Sequence, residues 1–374
     1  MKNKIGIVGG GQLGRMMALA AIPLGFEVSV LDPTPNCPAA ICTQQMVGSF
    51  KDPEAIIALA KQVGYLTFEI ESANAEALQQ LEQQGMAINP QANMLALIKD
   101  KFAQKQFYQQ HGIPCAQAVA VETKADISKA AQKFSYPIVL KARFDAYDGR
   151  GNAVVNDETE IDAALQKLGQ KNLYVEKFVP FKKELAIMVA RAGDGSIKSY
   201  PLVESIQKNN ICHTVIAPAQ ISTAATQQAQ QFAQKLVGYL QGAGVFGVEM
   251  FFTEDEQILV NEIAPRVHNS GHYTTEACVT SQFEQHIRAV SQLPLGSTAM
   301  KVPAAVMVNI LGQRQGEVAW KGLPEALAIE GVSIHIYGKA ETKPERKMGH
   351  ITAIADDVAT AIEKAQDALR RVSV

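Results

Sequence analysis

Charge is scarce in this sequence and evenly divided. Only 19% of residues are Asp, Glu, Lys or Arg, and 35 basic side chains against 37 acidic ones leave a formal net charge of −2. Such a chain has no global positive field to gather nucleic acid or an anionic membrane. Long apolar runs are also missing. The stretch Met16 to Phe26, bounded by Arg15 and Glu27, covers 11 residues, where a spanning helix needs about 20. Two early lysines precede apolar residues, yet Gly9-Gly10-Gly11-Gln12-Leu13-Gly14-Arg15 interrupts the run before a signal-peptide core forms, so the start is expected to belong to the mature fold. Cysteine is sparse: Cys37, Cys42, Cys115, Cys212 and Cys278 are odd in number and contain no Cys-x-x-Cys. Neither a disulfide framework nor a thiolate metal site is indicated, and a reducing cytoplasmic setting is expected. What is plentiful is apolar surface, at 47% of 374 residues with 27 glycines and 16 prolines. That suffices for two or three cores and excludes disordered and collagen-like classes.

Alternation organises the first part. Lys4 to Val8 reads as a strand, Leu13 to Leu24 as a helix and Glu27 to Leu31 as a strand ending in Asp32-Pro33; a helix at Ile56 to Val63, a strand at Tyr65 to Ile70, a helix at Asn74 to Gln84 and a strand at Met86 to Ile88 follow. A parallel sheet with helices on both faces is predicted over residues 1–98. A helix from Lys99 to Gln110 then stops at Gly112 and Pro114. Strands at Pro137 to Lys141, Asn152 to Val155 and Tyr174 to Lys177, with one helix at Ile161 to Leu168, predict a small α+β lid at about 120–180 within a domain of residues 99–295. Glu184 to Arg191 with Ile197 to Ile206, and Val245 to Ile263, read as hairpins around a helix at Thr226 to Tyr239. Strands at Ala304 to Ile310, Ser333 to Tyr337 and His350 to Ala355 and a helix at Val358 to Arg370 fill a C-terminal lobe, 296–374.

Five segments carry chemistry. Gly9 to Gly14 satisfies G-x-G-x-x-G between strand and helix, with Asp32 where a ribose-binding acid would stand. On this motif alone a nicotinamide cofactor, another phosphate and a structural turn all remain open. Ala146 to Asn152 is a glycine-containing loop able to fold over polyphosphate or to serve as a plain hairpin turn, and Lys141 in the preceding strand favours an anion. Glu249 and Glu262 lie on two apolar strands. A turn centred between Asp255 and Glu256 would set them directly opposite, where like charges call for a cation, and oxygen ligands suit Mg²⁺; a register offset by one would separate them. Arg266, His268, Asn269, Ser270 and His272 then crowd one loop at a strand end, suited to a small oxyanion. Lys339, Lys343, Arg346 and Lys347 form either a solvated basic loop or a phosphate monoester site.

Together the strand lysine, lid loop, paired glutamates and Asn261-Glu262 resemble the ATP-grasp ligases. The run Asn261-Glu262-Ile263-Ala264-Pro265-Arg266-Val267-His268-Asn269-Ser270-Gly271-His272 resembles the signature of the N5-carboxyaminoimidazole ribonucleotide synthetase family. Gly9 to Met16, Tyr147 to Gly151 and Arg346 to His350 match the same family, so the likeness covers nearly the whole chain. The resemblance implies an ATP-grasp fold, of mixed α/β and α+β class, with a Rossmann-like pre-ATP-grasp domain, a lid and a C-terminal lobe. It implies a cytoplasmic, homodimeric purine-biosynthesis ligase that uses ATP, Mg²⁺ and bicarbonate, through carboxyphosphate, to carboxylate 5-aminoimidazole ribonucleotide. Lys101 and Lys141 would meet the ATP phosphates, covered by Ala146, Tyr147, Asp148, Gly149, Arg150, Gly151 and Asn152. Glu176, Lys177, Phe178 and Val179 would meet adenine, Glu184 the ribose, and Gln207 and Asn261 would stand near the nucleotide. Glu249 and Glu262 would hold Mg²⁺. Gly11, Gln12, Leu13, Tyr147, Arg150, His268, Asn269, Lys339 and Arg346 would line the ribonucleotide and bicarbonate site, with Tyr147, Arg150, Arg266, His268 and Asn269 at the reacting centre. On this reading no nicotinamide binds.

Three positions depart from the family pattern: Phe144-Asp145-Ala146 replaces a Gly-Gly pair, Gln207 replaces a His, and Lys343 stands where Arg is frequent. Other readings are a different ATP-grasp ligase acting through an acyl phosphate, an NAD-dependent dehydrogenase built on the first hundred residues, and a nucleotide sensor without catalysis. Only the carboxylase needs bicarbonate, and the dehydrogenase would leave Glu249 and Glu262 without a task.

Overall fold

The computed structural model describes residues 3–144, 151–169 and 171–374. In the N-terminal body the apolar run Lys4–Val8 lies between Glu27–Asp32 and Tyr65–Phe68, flanked by Gln44–Val47 and Ala87–Ile88, all parallel. Gln44–Val47 escapes the sequence reading because it is a polar edge strand with neither apolar alternation nor full burial. The winding reverses between Lys4–Val8 and Tyr65–Phe68. At that switch point, outside the strands' carboxyl ends, the chain presents Gly9 to Gly14 and Glu69 to Glu71.

The lid is a four-stranded antiparallel sheet of Ala118–Val121, Leu173–Lys177, Ile138–Ala142 and Asn152–Val155, covered by helices Lys124–Phe134 and Ile161–Leu168. The first strand and first helix were not expected. Yet Thr123 and Asp126 close a reciprocal capping box at that helix start, a signal visible in the sequence.

The largest body is one nine-stranded sheet. It runs through Ile258–Ala264, Gly244–Thr253, Phe181–Arg191, Val203–Lys208, Ile211–Ala217, Ala304–Leu311, Lys347–Ala355 and Val332–Ile336, with Ile197–Ser199 beside Phe181–Arg191. Ala304–Leu311 pairs with Ile211–Ala217, so residues after 296 extend a sheet begun earlier in the chain. Alternate residues of Phe181–Arg191 enter two cores: Leu185, Ile187 and Val189 pack against helix Thr223–Tyr239, and Ala186, Met188 and Ala190 face helix Gln282–Val290, which in turn packs on helix Gln12–Ala21 of the N-terminal body. Truncating Ile187 to Ala would cost about 2–5 kcal/mol, since both faces are sealed. Among the described residues no helix is long and apolar enough to cross a membrane.

Candidate active site

The hairpin register is decided by a bulge. Thr253 N–H donates to Gln257 O at 3.0 Å, and Glu256 turns the chain at φ 61°, so the turn centres on Asp255 and pairs Phe252 with Ile258, Phe251 with Leu259 and Met250 with Val260. Continued unbroken, that ladder would place Asn261 opposite Glu249. Instead Asn261 is an extra residue, and beyond it Glu249 faces Glu262, Val248 faces Ile263 and Gly247 faces Ala264. The expected pairing of the glutamates therefore occurs, while the turn centres on Asp255 rather than between Asp255 and Glu256. The Asn261 carbonyl is taken by Lys105 Nζ at 2.9 Å.

Three carboxylates then share one face. Glu249 pairs laterally with Ala186, and Glu184 lies two residues before Ala186 on the same strand and side. Burial, followed by the charges of Glu262 and Glu184, pushes the Glu249 carboxyl up to about 8. Burial alone lifts Glu184 to about 7. Burial also works against charge on Glu262, but Lys101 Nζ at 3.0 Å outweighs it and holds that carboxyl below its ordinary value. Lys101 is aimed by a break that sequence periodicity did not reveal: Asp100 separates helices Ala92–Lys99 and Lys101–Gln110 and accepts from Phe102 N at 3.1 Å and Ala103 N at 3.2 Å. The same carboxylate accepts from Arg143 Nε at 3.0 Å, and Lys101 N–H donates to Arg143 O at 2.8 Å, tying this helix to the lid.

One turn along, Lys105 is buried beside Glu176. Glu176 lies 3.1 Å from Lys105 Nζ and accepts from Lys141 Nζ at 3.0 Å, so its carboxylate orients the strand lysine. Lys177 is exposed, and Phe178 and Val179 are half-buried just beyond the strand. Ala142 N–H donates to Gly151 O at 2.8 Å, and Asn152 pairs with Lys141. Ala146, Tyr147, Asp148, Gly149 and Arg150 lie outside the described residues. Gln207 follows a register shift on Val203–Lys208 and donates to Ser205 Oγ at 3.4 Å.

After Ala264 the chain leaves the sheet. Arg266 Nη2 meets Glu71 Oε1 at 2.9 Å, His268 Nε2 stands 3.4 Å from Glu249 Oε1, and His268 Nδ1 is 2.7 Å from Ser270 Oγ. Burial, then Arg266 and Lys347, push the His268 imidazole down to about 3, keeping it neutral. Asn269 and Asn309 exchange amide hydrogen bonds of 3.1 and 2.6 Å. On the far side, Lys339 Nζ donates to Lys347 O at 2.6 Å and Arg346 Nη1 to Glu341 O at 2.7 Å; burial, then Arg346 and Lys347, bring the Lys339 ammonium down to about 8. Arg15 reaches across from the glycine motif to Tyr337 O at 3.2 Å, two residues before Lys339.

Inside the glycine motif the donors are already engaged. Gly10 N–H donates to Asp32 Oδ2 at 2.9 Å, and Gly11 and Gly14 N–H both donate to the Glu69 carboxylate. Asp32, placed by the dinucleotide template at a ribose, binds the loop itself. Lys105, Asp100, Glu69, Glu71 and Asn309 were missed. Lys105 lies four residues from Lys101 on one helix, and Glu69 and Glu71 follow a parallel strand's carboxyl end, so both had a readable signal.

A lysine on one of two facing glutamates, a second lysine held on a lid strand by Glu176, and a loop rich in Arg and His after the glutamate strand are the features of the ATP-grasp class. A model of the ATP-grasp domain matches residues 106–283, one of the ribonucleotide synthetase preATP-grasp domain 1–99, and one of the phosphoribosylaminoimidazole carboxylase C-terminal domain 305–364. The chain is 40% identical to an N5-carboxyaminoimidazole ribonucleotide synthase of Synechococcus elongatus, covering 97% of this chain and 92% of that protein. It is 46% identical to a phosphoribosylaminoimidazole carboxylase of Schizosaccharomyces pombe over 95% of this chain, and spans 65% of that longer protein. Among solved structures, an Aspergillus clavatus N5-carboxyaminoimidazole synthase in complex with ADP and 5-aminoimidazole ribonucleotide superposes with a TM-score of 0.90 at 39% identity, covering 99% of each chain. The chain belongs to the N5-carboxyaminoimidazole ribonucleotide synthetase family of ATP-grasp ligases.

Proposed function

We propose that this protein uses ATP and bicarbonate to carboxylate the exocyclic amine of 5-aminoimidazole ribonucleotide, yielding N5-carboxyaminoimidazole ribonucleotide, ADP and phosphate in purine biosynthesis. Bicarbonate is too weak an electrophile for direct attack. A bicarbonate oxygen therefore attacks the γ-phosphorus and ADP departs; the amine nitrogen then bonds to the carboxyl carbon of carboxyphosphate, phosphate leaves, and the amine gives up a proton. The observation that carries this reading is Glu249 facing Glu262 across the bulge, with Lys101 on one carboxylate and the neutral His268 beside the other.

Glu249 and Glu262 fit Mg²⁺: both are oxygen donors, and burial with mutual repulsion leaves Glu249 short of positive charge. Among the described residues no group of three or more metal-binding side chains forms, which suits an ion whose remaining ligands are substrate phosphates and water. Held there, Mg²⁺ supplies neutralisation of the phosphate charge. Lys101 and Lys141 orient the polyphosphate, Glu184 binds the ATP ribose, and the segment Glu176 to Val179 borders adenine. Arg266, His268 and Asn269 bind bicarbonate and the base of the ribonucleotide, with Lys339 and Arg346 on its 5′-phosphate. Tyr147 and Arg150 complete the reacting centre, and the glycine motif supports the ribonucleotide. The enzyme acts as a homodimer, and five free cysteines suit a reducing, cytoplasmic setting. ADP release measured with all components, and then with bicarbonate or ribonucleotide omitted, tests the assignment. Full turnover without bicarbonate would instead support an acyl-phosphate ligase using another acid.

A further inference from the structure

Gln282 has no part in the chemistry above, yet it is fully buried at the start of helix Gln282–Val290. A buried primary amide is costly unless its donors and acceptor are used. Here they close on a single residue: Gln282 Oε1 accepts from His268 N–H at 2.9 Å and Gln282 Nε2 donates to His268 O at 2.7 Å. The amide grips both main-chain polar groups of His268 as a neighbouring strand would. Its orientation is forced, because a backbone N–H requires the oxygen and a carbonyl requires the nitrogen. Nε2 also meets His272 Nδ1 at 3.1 Å. That nitrogen must accept, so the neutral His272 ring carries its proton on Nε2.

The surroundings are fitted to this grip. Gln282 N–H donates to Thr274 Oγ1 at 2.9 Å, and that hydroxyl donates to Gly271 O at 2.6 Å. A Cβ on Gly271 would lie 2.3 Å from Gln282 Oε1, so glycine is what lets the amide approach. On the opposite side, a Cβ on Gly247 would come within 2.7 Å of His268 Cβ. His268 is thus pressed from the hairpin and held from the helix, with its imidazole at Glu249 and Ser270.

We infer that Gln282 is a positioning residue that fixes the His268 imidazole against the Glu249 edge, and that its bond to His272 makes the His268-to-His272 loop one rigid unit. The inference rests on the assignment of His268 to the substrate site. An imidazole displaced by about 1 Å loses on the order of tenfold to a hundredfold in rate, whereas the Lys101 and Lys141 contacts do not run through this amide.

The test compares Gln282→Met, which keeps volume and loses both bonds, with Gly271→Ala, which displaces the amide without removing it, and with His268→Ala. In folded protein both Gln282→Met and Gly271→Ala should lower kcat with saturating ribonucleotide by about tenfold or more while the KM for ATP stays within about twofold. The ¹⁵N signals of the His268 ring should shift in both. If His268→Ala lowers kcat but neither other variant does, the positioning role is overturned while the site assignment stands. If His268→Ala leaves kcat and ribonucleotide KM unchanged, the site assignment itself fails. A rise in ATP KM that parallels the loss of kcat and of thermal stability in both variants would reduce Gln282 to a general packing role. Should Gln282→Met not fold, Gly271→Ala carries the same comparison with the amide still in place.

Discussion

At the switch point of the N-terminal sheet, Glu69 and Asp32 place their carboxylates on the backbone N–H groups of Gly10, Gly11 and Gly14. At the edge of the central sheet, Glu249 and Glu262 place theirs opposite each other, with a single lysine at 3.0 Å. Residue type is similar, and burial raises both the Glu69 and the Glu249 carboxyl, but the groups that answer the charge differ. In the first corner the helix N-terminus supplies the positive end, so the acids complete the fold. In the second the partners are side chains, Lys101 on Glu262 and the neutral His268 beside Glu249, and on the proposed reading further positive charge arrives with the ligand. A carboxylate pair is therefore a candidate cation site where side chains rather than main-chain donors answer its charge.

The strongest way to break this contrast is Glu262→Gln, which removes the carboxylate that stays ionised. Turnover should fall on the order of a hundredfold or more, because several kcal/mol of charge compensation at the phosphates is lost. Near-normal ADP release at saturating Mg²⁺, from protein with an unchanged thermal midpoint, would take Glu262 out of the metal site. Next in size is Arg346→Ala. Loss of a charge-assisted hydrogen bond worth about 1.5–3 kcal/mol should raise the KM for the ribonucleotide by about tenfold or more and spare that for ATP. The reverse pattern would move the basic loop to the nucleotide.

Gly11→Val probes the other corner, since a Cβ there would stand 2.6 Å from Glu69 Oε1. A severalfold loss of ribonucleotide affinity, about 1 kcal/mol, is expected by calorimetry with ATP binding unchanged. Micromolar binding of NAD or NADP that this change abolishes would return the glycine motif to a dinucleotide. The last effect is on stability rather than on turnover. Glu249, half-buried and facing Glu262 and Glu184, has its carboxyl raised from 4.5 to about 8. Between those values the native state holds a proton that the unfolded chain has lost, so this group makes stability fall as pH rises through that window. In Mg²⁺-free buffer Glu249→Gln should flatten the decline between pH 5 and pH 8. Equal slopes for the two proteins would mean that Glu249 is already compensated.

Much of this was legible. The parallel opening follows from strands near 5, 28 and 66 alternating with helices, and twelve consecutive residues from Asn261 to His272 carry the family likeness. The break at Asp100 was not, because residues 99–110 read as one helix until Asp100 is recognised as the N-cap of Lys101–Gln110. Strand Ile211–Ala217 and helix Gln282–Val290 were also missed, and with the helix Gln282; Asn309, on the expected strand Ala304–Leu311, was not recognised as a partner of the loop either. Local periodicity does not report a partner 14 or 40 residues away.

The sequence by itself determined which side chains were available and their local order: the glycine motif, Glu249 and Glu262 on adjoining strands, and the Arg266-to-His272 loop after them. Only the tertiary structure decided how those charges are satisfied. One unpaired residue, Asn261, turns a register that would separate the glutamates into one that opposes them, because side chains alternate between faces with a period of two. Likewise the glycine motif matches a dinucleotide template in sequence, but Glu69 and Asp32, brought to it by parallel pairing of distant strands, engage the donors on which that template depends.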